Sequence, residues 1–186
     1  MDPKRILADA RALEEAFFSK ENARLLEQMR EKKQREALRE VVQIKDEAFL
    51  DRLMELGINP ETVLALTLVP LTAVAWADGI LEDPERDAVI KAAEERGVTP
   101  GTAGHQLLEN WLRRRPDPVL FEAWKQYVQG IWGTFTDEER RRMRATTLDW
   151  ALAVAESAGG FLGLTSKVSE SERAVIEELE NVLRVS

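Results

Sequence analysis

Carboxylates are the residues best placed to do chemistry in this sequence, and most of the conspicuous ones flank one turn. Asp78, Glu82, Asp83 and Glu85 surround the stretch Asp78-Gly79, and Glu156, Glu170 and Glu172 occupy matching places further along. Clustered oxygen ligands suit hard cations such as Ca²⁺ or Mg²⁺, so Asp78, Glu85, Glu156 and Glu172 form a candidate metal set. Most of these side chains also have a local role. Carboxylates in the first turn of a helix satisfy free backbone N–H groups and suit the positive end of the helix dipole. That explanation covers Asp83, Glu85, Glu170 and Glu172, and leaves Asp78 and Glu156 as the sharper candidates. The alternating acids of an EF-hand are missing.

Other chemistries are limited by composition. There is no cysteine, which removes disulfides, zinc-thiolate centres and thiol catalysis. His105 is the single histidine, so a di-iron site built from two Glu-x-x-His motifs is excluded. A Ser-His-Asp triad would depend on that one residue, and no nucleophile elbow accompanies it. The glycine-rich stretch Ala158 to Ser166 lacks the Gly-Lys-Ser/Thr ending of a phosphate-binding loop. Its Phe161 and Leu162, with Trp76 beside the acidic turn, are candidate partner-binding residues; a connection folded onto the core is the plainer reading of that stretch. Arg113 to Arg115 lie at a helix end, where cations complement the dipole. Arg140 to Arg142 and Arg144 read as a solvated helix face.

The net charge of −8 disfavours bulk attraction to nucleic acid. The charge-free run Val63 to Ala77 is shorter than the ~20 residues of a spanning helix and contains Pro70, so it reads as a buried core helix. The start, Met1-Asp2-Pro3-Lys4-Arg5, lacks the sections of a signal peptide, and a cytoplasmic location is expected.

The elements that must position these residues all read as helices: an all-α bundle of eight or nine. Pro3 starts a first helix and Ser19 can cap a second, running to about Gln43. Its part Arg30 to Glu36 is polar all round, as in a solvated bridge, a break or a partner-facing arm. Asp46 opens a short helix stopped by Gly57. Asn59-Pro60 starts the apolar core helix, with Pro70 as a kink. Asp83-Pro84, Thr99-Pro100 and Pro118 start the next three helices. Thr136 with Glu139, and Ser169 with Glu172, are capping-box signatures for the last two. Core packing explains the five tryptophans, with Trp76 beside the acidic turn the one exception.

The sequence also repeats itself. Ala73-Val74-Ala75, the Trp76–Gly79 turn and an acid-capped helix with an Ala-Val-Ile run return as Ala153-Val154-Ala155, Glu156–Gly159 and Ser169 to Ile176. This ordered recurrence reads as an internal pseudo-twofold duplication. In Val74-Ala75-Trp76-Ala77-Asp78-Gly79, with Glu85-Arg86 opening the next helix, the chain resembles the tellurite-resistance TerB-like domains. The resemblance covers about residues 58–186 and leaves residues 1–57 as an N-terminal helical extension. It implies an all-helical domain of paired, related helices with an acidic surface, associated with metal binding and stress-response assemblies. The second copy departs from the motif, since Ala158 stands in place of the Asp. The expected function is a non-enzymatic protein-interaction module with a divalent cation at the acidic turn; the alternative is a metal-dependent hydrolase using the same carboxylates.

Overall fold

The computed structural model describes residues 3–158 and 168–184, with side chains from residue 17 onward. Among the described residues every regular element is helical. The order is α1 (Pro3–Val42), α2 (Glu47–Glu55), a 3-10 turn (Val63–Leu68), α3 (Val69–Ala75), α4 (Asp83–Glu95), α5 (Ala103–Arg113), α6 (Val119–Trp132), α7 (Asp137–Ala158) and α8 (Glu170–Val182).

Most boundaries follow local chemistry. Asp46 caps α2 by accepting from the Phe49 N–H at 3.2 Å. Gly57 and Gly97 adopt φ 81° just beyond α2 and α4, a left-handed stop that residues with a Cβ resist. Thr136 and Glu139 bond reciprocally ahead of α7, and Ser169 and Glu172 do the same ahead of α8.

Three starts differ from those expected. Ser19 does not begin a second helix: α1 runs unbroken through it, with no proline after Pro3 and no glycine before Gly57 to interrupt it. Pro70 does not kink a long helix. The chain ahead of it is wound as a 3-10 turn, and Pro70 sits in the first turn of α3, where its missing N–H costs nothing. Thr99-Pro100 forms a turn whose Gly101 takes φ 88°, and Thr102 then caps α5 through the His105 N–H.

The short α3 is the hub. Val69, Pro70, Leu71, Thr72, Val74 and Ala75 are buried around its whole circumference, because α4, α6, α7 and α8 all pack against it. One apolar cluster runs from Leu38 and Val42 of α1, through Leu50 and Leu53 of α2, to Leu179 and Leu183 at the far end. Trp111 and Trp124 belong to it. Trp76, Trp132 and Trp150 are only half-buried.

α1 behaves differently along its length. Leu38 and Val42 anchor its C-terminal end, where Arg35 pairs with Asp51 and Arg39 with Glu47. Gln43 ends the helix in a left-handed conformation, φ 56°. The following Ile44 lies over Gly130 of α6, where any Cβ would come within 2.8 Å of its methyl. From Phe17 to Lys33, by contrast, every residue is exposed except the half-buried Glu21. This stretch is an arm about 25 Å long. No described helix is long and apolar enough to cross a membrane.

Candidate functional site

The acidic turn is built by the end of α3 and the start of α4. Trp76 closes α3, and its indole N–H donates to the Trp111 carbonyl at 2.9 Å, which locks the ring to the end of α5. Gly79 then takes φ 92°, so the chain reverses. Asp78 is exposed and accepts from the Ile80 N–H at 2.9 Å, closing a side-chain turn. Asp78 therefore has a local partner that its position alone did not suggest.

Glu85 turns inward. It is only 4% exposed, and its carboxylate accepts the Glu82 N–H at 2.8 Å. Glu172, at the equivalent place in α8, is 7% exposed and accepts the Ser169 N–H at 2.6 Å. Burial pushes the Glu85 carboxyl up from 4.5 to about 7, against the lowering effect of the Glu82 N–H. The neighbouring charges of Glu172, Asp78 and Glu82 push in the same direction as burial. Two helix starts thus bring two capping carboxylates within electrostatic reach of each other, in a place where water scarcely screens them.

Of the four candidate cation ligands, Asp78, Glu85 and Glu172 share this neighbourhood, whereas Glu156 is exposed near the end of α7. Among the described residues no three Asp, Glu or His side chains converge as a cation would require. Glu85 and Glu172 each spend an oxygen on a backbone N–H. The arrangement can hold a proton near neutral pH, and it ties the starts of α4 and α8 into one electrostatic unit.

The partner-binding candidates divide as well. Trp76 lies on the wall of a groove of about 190 Å³ between α3, α6 and α8, floored by Val69, Ala73, Leu120, Phe121 and Val175. Such a volume is below that of ordinary ligand pockets, and none of the four carboxylates lines it. Phe161 and Leu162 lie outside the described residues. His105 is buried, 3.9 Å from Glu109. Arg140 is tied down by the Trp132 carbonyl at 3.0 Å and by Asp137.

A further feature was missed in the residue pattern: the apolar side of the arm. Phe17, Phe18, Leu25, Leu26 and Met29 are 65%, 56%, 46%, 67% and 69% exposed. At about 100° per residue, Phe18, Leu25 and Met29 fall within about 40° of one another around the helix. The 7- and 11-residue spacings that put them there were legible; that no described residue covers them was not. Phe17 and Phe18 touch only edge to face, 5.9 Å between ring centres. Large exposed apolar side chains gathered on one helix are uncommon on the surface of a monomer. Compared with protein-family models, with curated proteins and with solved structures, the chain finds no match.

Proposed function

We propose that this protein is a non-enzymatic protein-interaction module whose docking element is the α1 arm, presented by the helical body. The observation that carries this reading is the exposure of Phe18, Leu25 and Met29 in one line on a helix beside which no described residue packs. An isolated helix of this length is marginal in water, and the pairs Glu21–Arg24 and Glu27–Arg30 add only a few tenths of a kcal/mol each. Burial against a partner would supply what the arm lacks. The resemblance of residues 58–186 to TerB-like domains points the same way, toward work within an assembly. The reading rests on the arm and invokes no bound cation.

The test is a photo-crosslinking amino acid at the exposed position Gln28 of the full chain, irradiated in cells. A discrete adduct is expected, and it should vanish when Phe18→Ser and Leu25→Ser are added. Absence of any adduct, or an adduct indifferent to those substitutions, overturns the proposal.

A further inference from the structure

The groove beside Trp76 is independent of the arm, and its walls are fixed before anything enters it. The Trp76 ring is held by its indole N–H on the Trp111 carbonyl, 2.9 Å away. Phe121 stacks on Trp124, ring centres 5.6 Å apart and planes within 4° of parallel, with the Lys125 ammonium 5.3 Å from its own ring centre. Thr72 brings the one hydroxyl of the lining, and it is spent on the Leu68 carbonyl at 3.0 Å. What remains between these walls is apolar surface of set shape. An apolar cavity of about 150 Å³ takes benzene, so a groove of about 190 Å³ suits one aromatic ring carrying a short chain.

The rim decides the charge at the end of that chain. Glu122 and Glu178 are both engaged by Lys125, at 2.5 and 2.7 Å, in a bridge from α6 to α8. Asp117 accepts the Val119 N–H at 2.9 Å, at the positive end of α6. Arg115 differs from all of them. It is exposed, it lines the groove, and no described residue gives its guanidinium a hydrogen bond or an ion pair. Its Nη1 lies over Gly79, 3.7 Å from where a Cβ would stand, and φ 92° keeps that place free of a side chain. The groove thus offers one uncommitted charge, a fork of N–H donors that matches a carboxylate bidentately.

We propose that this groove binds a small arylalkanoic acid, its ring against Trp76 and Phe121 and its carboxylate on Arg115. Both aromatic walls are already immobile, so the ring gains their contact with little loss of ordering entropy. The carboxylate supplies the anion that Arg115 lacks. The small volume keeps the affinity modest, with half-saturation on the order of 1 mM.

The probe is hydrocinnamate, titrated into the isotope-labelled full chain and followed by two-dimensional NMR, with hydrocinnamyl alcohol as its uncharged counterpart. Shifts should centre on Ala73, Ala77, Leu120 and Val175, and the acid should bind roughly three- to tenfold more tightly than the alcohol. Arg115→Gln, at an exposed side chain without partners, should leave the melting temperature unchanged and bring the acid to the affinity of the alcohol. Arg115→Lys, which keeps the charge but not the fork, should restore part of the preference. A role confined to folding would move both ligands alike.

No shift at about 10 mM hydrocinnamate overturns the proposal. So does an alcohol bound as tightly as the acid, which would make the groove an apolar crevice without anion selection. So does an Arg115→Gln chain that still prefers the acid, since the anion would then be held elsewhere. The arm takes no part in this test, so its docking role stands or falls separately.

Discussion

The body and the arm are both helix, yet they are helical for different reasons. In the body, α3 is short and apolar on every side, and it exists because four other helices enclose it. In the arm, residues 17–33 hold their shape through propensity and neighbouring charges, while Leu26 and Met29 face solvent. The same type of residue therefore does opposite work in the two places. A leucine in α2 stabilises the fold and is invisible from outside. A leucine in the arm adds little to the fold and is available to something else.

The largest effect should come from the body. Leu53→Ala, at a fully buried position, should cost about 2–5 kcal/mol in denaturant unfolding. A loss below 1 kcal/mol would mean that α2 belongs with the arm and not with the core. Next comes Glu85. Its carboxyl titrates near 4.5 when unfolded and about 7 when folded, so the folded protein holds the proton more tightly. The resulting destabilisation is absent below pH 4.5, grows as pH rises toward 7, and is complete above it. Glu85→Gln, which keeps an oxygen for the Glu82 N–H, should raise stability by about 1–3 kcal/mol at pH 8 and little at pH 4.5. An equal effect at both pH values would break the link to burial.

Ser169→Ala removes the acceptor for the Glu172 N–H and should cost about 1 kcal/mol, measured by thermal unfolding of the full chain. The smallest effect should be in the arm. Leu26→Ser should shift monomer stability by less than about 0.5 kcal/mol. A cost comparable to that of Leu53→Ala would show that the arm folds onto the body.

Helix ends with a one-residue chemical cause were readable in the sequence. Gly57 and Gly97 stop helices because a left-handed residue is needed there, and Thr136 and Ser169 start them because a hydroxyl three residues before a Glu can bond reciprocally. Starts that depend on competition were not. Ser19 is a capable cap, but nothing nearby breaks the helix it interrupts. Thr99 is another, but Gly101 moves the start to Thr102. The candidate site was half legible. Glu85 and Glu172 were identifiable as first-turn acids, whereas their burial depends on which helices cover them, and that is a property of packing. Asp78 looked unexplained because its partner is a backbone N–H two residues away. In the arm, the spacing of Phe18, Leu25 and Met29 was plain, but exposure is a statement about the rest of the molecule.

The unbroken course of α1 has a mechanical consequence. Arg35 lies about 27 Å from Phe17 along the helix axis, with neither glycine nor proline between them to absorb bending. The helix is a lever whose fixed end is the stretch 35–42, held on α2 by Leu38, Val42 and the Arg35–Asp51 and Arg39–Glu47 pairs. A tilt of about 10° at that end sweeps the tip through about 5 Å, close to one helical turn of rise. The direction in which Phe18, Leu25 and Met29 face is therefore set where α1 meets α2, by a few side chains far from the tip.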